Sequence, residues 1–267
     1  MSKLGKAIKT GAVAAVCGIG LCAVAKKLKL TSRLADVAHS VEGVPFPGVN
    51  LYSFLASKQL RSLYAQIAEE ITGVFSGQQI LDLNTGVGLL PLEIAERNPN
   101  LHVIGLDKSS EMIQVAQVNA KAARVRPCIE FNVGEPTNLP FPGRYFDLVV
   151  SVNALHHWTN PAVVMDEVFH VLKPGGEFWI YDYRCDVSEE IWDTAQSELP
   201  LYLALPFMVG PKASWKAACS DEKMLSLVKV SHFEQVSVEK RTFKLYGREM
   251  PVFNRILLKK PEQAREE

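Results

Sequence analysis

From residue 78 to residue 183, short apolar runs alternate with stretches whose apolar positions recur every three or four residues. The first kind of text is a buried strand and the second an amphipathic helix. The pattern predicts strands at Ile80–Leu83, His102–Leu106, Ile129–Val133, Tyr145–Val152 and Glu177–Tyr181. Between them it predicts helices at Leu89–Arg97, Ser110–Ala123 (capped by Ser109 or Ser110) and Asn160–Val171. Upstream, Leu51 to Thr72 has helical spacing and is closed by Gly73 and Gly77, while 34–50 reads as loop, broken by Pro45, Pro47 and Gly48. Nearly continuous apolar strands separated by helices mean a parallel sheet covered on both faces.

The rhythm changes after Asp182. Residues 188–229 carry helical stretches broken by Pro200, Pro206, Gly210 and Pro211, with Trp192, Tyr202, Phe207, Met208 and Trp215 among them. They are expected to form a helical cap inserted over the sheet. Gln235–Tyr246 and Pro251–Lys260 then read as two strands joined around Gly247, an antiparallel pair completing a seven-stranded sheet.

Composition adds exclusions. The chain has 267 residues, 48% apolar and 22% charged, which indicates neither disorder nor a disulfide scaffold. Formal net charge is zero, so no electrostatic footprint for nucleic acid is expected. The five cysteines (Cys17, Cys22, Cys128, Cys185 and Cys219) lack Cys-x-x-Cys spacing, which argues against a zinc site and fits a reducing, intracellular compartment. No metal is expected.

The charge is unevenly spread. Residues 1–35 hold seven Lys/Arg and no acid, which leaves 22 basic against 29 acidic residues in the remainder. Within this lead Gly11–Ala25 is uncharged, with three lysines on each side. As a helix it would span about 22 Å, short of the roughly 30 Å hydrocarbon core. The expected reading is a basic lead that anchors the chain at a membrane surface, with residues 36–267 as the folded domain. An organelle-targeting segment, a secretory signal and a soluble helix on a cytoplasmic protein are the alternatives.

The chemistry concentrates where predicted strands end. Residues 80–88 run from an apolar strand through Asp82 and Asn84 to Gly86 and Gly88, and then a helix begins. Bare backbone at such a turn lets a ligand approach closely. About twenty residues later the next strand ends in Asp107, an acid placed to hold two ribose hydroxyls. Ligands of parallel sheets sit at these carboxyl ends. A dinucleotide fingerprint is absent, because Gly86-x-Gly88 is followed by Leu89, Leu90 and Pro91.

Four pieces in order, Ile80–Gly88, Val103–Met112, Gly134–Phe141 with Phe146–His157, and Val171–Gly176, resemble the class I S-adenosylmethionine-dependent methyltransferases. The likeness is greatest to the small-molecule and ubiquinone-biosynthesis-like group and covers residues 78–183. It implies a Rossmann-like α/β fold, S-adenosylmethionine as cofactor and a small-molecule acceptor. It implies that the backbone at Gly86 and Gly88 meets the methionine part and that Asp82 accepts from loop N–H groups or the cofactor ammonium. It also implies that Asn84 is among the cofactor-binding residues and that Asp107 takes the ribose. Lys108 and Met112 would flank the adenosine, Glu135 would take the adenine amino group, and Pro136 and Asn153 would line the adenine and methionine sides. Asn84 stands where the family has glycine and Glu135 where it more often has Asp.

In the run Ala154-Leu155-His156-His157-Trp158, His156 and His157 are candidate bases for an attacking acceptor, since imidazole titrates near working pH. The alternative reading is that these histidines shape the pocket or cap the next helix. Methyl transfer rests chiefly on positioning, so a base is not obligatory. Asp182 and Tyr183, followed by Arg184, are candidate substrate contacts. Together with the basic lead, the apolar cap suggests an apolar or lipid-like acceptor. The alternatives are a non-catalytic protein keeping the fold as a scaffold, and a protein or RNA methyltransferase. Oligomeric state is not legible.

Overall fold

The computed structural model describes residues 60–123, 128–197, 215, 232–245 and 247–262. The first helix, α1 (Arg61–Val74), buries Leu63, Ile67, Ala68 and Ile71, a stripe at three- and four-residue spacing. There follow β1 (Gln79–Leu83), α2 (Leu89–Arg97), β2 (His102–Asp107), α3 (Ser110–Ala123), β3 (Ile129–Val133) and β4 (Phe146–Val152). A single 3₁₀ turn, Leu155–His157, leads into α4 (Pro161–Val171) and β5 (Leu172–Tyr183). α5 (Glu189–Ser197), β6 (Gln235–Leu245) and β7 (Arg248–Lys259) complete the described elements.

The strands form one seven-stranded sheet in the order β3-β2-β1-β4-β5-β7-β6. β1 to β5 are parallel, and β7 runs antiparallel to both β5 and β6. This is the expected Rossmann-like sheet with its C-terminal hairpin. β4 is central: Phe146, Leu148, Val149 and Val150 are fully buried, as both-face coverage requires. Each such side chain contributes about 1.5–3 kcal/mol relative to an exposed one. Five carboxyl ends, those of β1 to β5, therefore lie along one edge of the sheet.

The two largest departures from the expected boundaries are the starts of β5 and β7. β5 begins at Leu172, directly after α4, rather than at Glu177. Leu172 pairs with Phe146, the register slips, and pairing resumes at Glu177 with Leu148. The Lys173–Gly176 run supplies the slack: Gly175 has φ +75°, and a Cβ on Gly176 would lie 2.9 Å from the Lys173 carbonyl oxygen. The hairpin is also longer than expected, with β7 starting at Arg248.

Residues 60–186 and 232–262 belong to the unit that carries the sheet, while 187–217 belong to a second compact unit. In that second unit Trp192 stacks on Trp215, with centroids 5.5 Å apart. The rest of the cap expected at 188–229, the lead at 1–35 and the start of the helix expected at 51–72 lie outside the described residues. Among the described residues no helix is long and apolar enough to cross a membrane, and no group of His, Cys, Asp and Glu could hold a metal.

A buried lysine ties the last strand to α4. Lys260, 4% exposed, donates to the carbonyls of Phe169 at 2.5 Å and Leu172 at 2.7 Å, and its ammonium lies 4.5 Å from the Phe169 ring centroid. These are the end-of-helix carbonyls that lack intrahelical partners. Lys260→Met removes both donors and is expected to cost about 2–4 kcal/mol, read from urea unfolding.

Candidate functional site

The candidate residues lie at or after the carboxyl ends of β1 to β5, the edge of the sheet at which β1 and β4 are neighbours and the chain crosses to opposite sides. Asp82 is on β1, level with Gly105 of β2 and Val150 of β4. It is 3% exposed and accepts a 2.5 Å hydrogen bond from Thr85 Oγ1. Burial pushes the Asp82 carboxyl up to about 7, opposed by the Thr85 hydroxyl and assisted by the nearby Asp107. Thr85 has room because β2 carries glycine opposite it. A Cβ on Gly105 would fall 2.8 Å from Thr85 Oγ1.

The turn after β1 is built on positive φ: Asn84 at 62°, Gly86 at 55° and Gly88 at 78°. Asparagine is among the few non-glycine residues that adopt this conformation readily. Gly88 has a packing reason as well, since a Cβ there would meet the Phe131 ring at 2.7 Å and the Ala116 Cβ at 2.9 Å. Gly86 is the opposite case. A Cβ on it would meet nothing within 4 Å among the described residues.

Asp107 ends β2 with both carboxylate oxygens engaged. Oδ2 accepts from Gly86 N–H at 2.8 Å, and Oδ1 accepts from Ser109 N–H at 3.0 Å. Partial burial raises its pKa, while the Ser109 and Gly86 amides and Lys108 pull it down and Glu135 pushes it up. Ser109 also caps α3, its hydroxyl accepting from Met112 N–H at 3.2 Å. Met112 is buried, and Lys108 is half-buried. After β3, Glu135 is exposed and Pro136 buried.

Asn153 follows β4 with φ 57°, its N–H donating to the Tyr181 carbonyl at 2.7 Å. Its Oδ1 is buried and accepts no hydrogen bond among the described residues. Asn84 Oδ1 instead accepts from the Trp158 indole N–H at 2.8 Å. His156 and His157 close the intervening 3₁₀ turn, and His157 is exposed. At the end of β5 Asp182 and Tyr183 are both buried, with Asp182 Oδ1 accepting from Tyr183 N–H at 2.8 Å and the Tyr183 ring 4.5 Å from that of Phe253.

Sequence reasoning missed Thr85 as the partner of Asp82 and Trp158 as the partner of Asn84. A signal existed for the first: a hydroxyl three residues after a strand acid, opposite a glycine within the neighbouring strand. None existed for the second, because its two residues lie 74 positions apart.

An orphaned acceptor at Asn153, open space at Gly86 and a doubly braced acid at Asp107 suit a nucleoside ligand that carries a cationic group. The family follows from comparison: the chain belongs to the methyltransferase-domain family of class I S-adenosylmethionine-dependent enzymes, whose domain model matches residues 75–246. It is 27% identical over 173 residues to a ubiquinone/menaquinone biosynthesis C-methyltransferase of Vibrio parahaemolyticus, a match covering 64% of this chain and 65% of that protein. This chain thus spans just under two thirds of that relative's length. Among solved structures, a candidate S-adenosyl-L-methionine-dependent methyltransferase of Methanococcus maripaludis aligns with a TM-score of 0.62 at 19% identity, over 85% of this chain and 98% of that one. The [4+2]-cyclase SpnF aligns at 0.56 and 17% identity, over 76% and 81%. At such identities the likeness establishes the fold, and the cyclase illustrates that the fold alone does not define a reaction.

Proposed function

We propose that the chain transfers a methyl group from S-adenosylmethionine to a small, apolar acceptor, and that a quinone-type ring carbon is the first acceptor to test. The carrying observation is Asp107, whose two oxygens are each oriented by a backbone amide and each retain a lone pair for a ribose hydroxyl. Asp82 and Asn153 offer acceptors for the methionine ammonium, and the open side of Gly86 admits the ligand against bare backbone. Lys108, Met112, Glu135 and Pro136 take the adenosine side.

Bound there, the cofactor supplies an electrophilic methyl group on a sulfonium. The protein's part is to hold the acceptor in line, exclude water and receive a proton where the acceptor releases one. We assign that proton to the turn carrying His156 and His157, and acceptor contact to the end of β5 at Asp182 and Tyr183. The quinone class, and with it an apolar acceptor, is supported by the name of the Vibrio relative.

Calorimetric titration with S-adenosylmethionine tests the cofactor, with binding expected in the micromolar range. No heat at millimolar ligand would sink the enzymatic reading in favour of a scaffold. Gly86→Ala provides a second check. It places a strained Cβ in the open space and is expected to weaken binding at least tenfold, with the unfolding midpoint changed by only a few degrees.

A further inference from the structure

Asn84 takes a left-handed φ of 62° in the turn after β1, and its side-chain amide is engaged. The turn 84–86 is fixed from three strand ends. Thr85 Oγ1 donates to Asp82 on β1. Thr85 N–H donates to the Leu106 carbonyl at 2.9 Å and Gly86 N–H to Asp107, both on β2. From beyond β4, Trp158 donates its indole N–H to Asn84 Oδ1 at 2.8 Å. Trp158 is itself held: it is 8% exposed and stacked on Phe178 with centroids 6.3 Å apart and planes 21° apart. Two residues after Asn84 lies the amide that braces Asp107. One residue before Trp158 lies His157.

We propose that Trp158 is a positioning residue for the cofactor turn. Its indole holds Asn84 in the left-handed conformation, so that the Gly86 amide faces Asp107 before any ligand arrives. The same bond fastens the cofactor turn to the 3₁₀ turn that carries His156 and His157. Asn84 thus serves as the acceptor half of a clasp, which a glycine there would not need because left-handed φ carries no Cβ penalty for glycine.

The inference rests on the cofactor reading above, so its test has an arm that needs no ligand. In the ligand-free protein, Trp158→Phe keeps an aromatic ring on Phe178 but loses the donor together with part of the indole's packing. Hydrogen exchange at the Gly86 amide is expected to quicken at least tenfold, while the Val149 amide in β4 is unchanged. With ligand, Trp158→Phe is expected to weaken S-adenosylmethionine binding about tenfold. In an Asn84→Gly background the same replacement should change affinity less than twofold, a coupling that a purely structural tryptophan would not show.

Wild-type protection of the Gly86 amide in Trp158→Phe overturns the clasp, as does an equal loss of affinity in both backgrounds. If the wild type binds no S-adenosylmethionine, the cofactor reading falls and the exchange arm alone decides the clasp. Should Trp158→Phe fail to fold, Asn84→Ala and Asn84→Asp replace it. Alanine is expected to expose the Gly86 amide and aspartate, which keeps the acceptor, to protect it; alanine with wild-type protection overturns the proposal.

Discussion

Replacing Asp107 with alanine is expected to weaken S-adenosylmethionine binding by a hundredfold or more while the protein remains folded. The acid ends β2 within reach of two backbone donors, Gly86 at 2.8 Å and Ser109 at 3.0 Å. Those bonds leave one lone pair on each oxygen and fix the plane of the carboxylate, so a vicinal diol can be met without further ordering. A hydrogen bond to a charged group contributes about 1.5–3 kcal/mol, and two amount to roughly a factor of 10² to 10⁴ in affinity. Alanine also releases the Gly86 amide, so the turn loses its brace along with the ribose acceptor. Asp107→Asn is expected to fare little better, because its NH₂ group would oppose either the Gly86 or the Ser109 donor. Calorimetry gives the affinities, and a melting curve confirms that both variants are folded. A loss under tenfold for alanine would remove Asp107 from the ribose.

How much of this was legible in the sequence follows from the range of the interactions involved. Strands and helices of the central domain could be read because their apolar spacing is local and their ends carry glycine, proline or a capping serine. Ser109 caps α3, and the Gln235–Lys260 hairpin takes the antiparallel place that its two apolar runs suggested. β5 was read too short because Lys-Pro-Gly-Gly looks like a turn, whereas pairing of Leu172 with Phe146 draws it into the sheet as a bulge. The candidate site residues could be listed but not connected. Asn84 looked like a defect in a glycine turn until Trp158 supplied a partner from another strand's end. Asp82 was legible as an acid beneath that turn, but its protonation depends on 3% exposure and on a neighbouring acid from a different strand, neither of which is local in sequence.

That protonation leads to the second large effect. With its carboxyl raised to about 7 in the ligand-free protein, Asp82 is mostly neutral at pH 6 and mostly ionised at pH 8. A carboxyl raised on folding contributes its stability in full below its ordinary value of 3.8, and that contribution is lost as pH climbs through about 7. The ligand-free wild type should therefore lose on the order of a few kcal/mol from this group between acid and pH 8. Asp82→Asn keeps an acceptor for Thr85 but cannot ionise. Denaturant midpoints of the two proteins should agree below about pH 3.8, with the variant becoming progressively the more stable as pH rises towards 7 and keeping that advantage at pH 8.

Binding should show the reverse preference. A cationic methionine group beside Asp82 favours the carboxylate, so wild-type affinity is expected to rise about tenfold between pH 6 and pH 7.5, a window in which an ordinary α-amino group remains largely charged. Asp82→Asn should bind weakly with no such slope. Asp82 would thereby strengthen cofactor capture at neutral pH with a charge that opposes the stability of the empty protein, as expected of a buried acid kept for a ligand. A flat wild-type affinity across that window, or a variant no more stable than wild type at pH 8, would show that Asp82 only anchors Thr85.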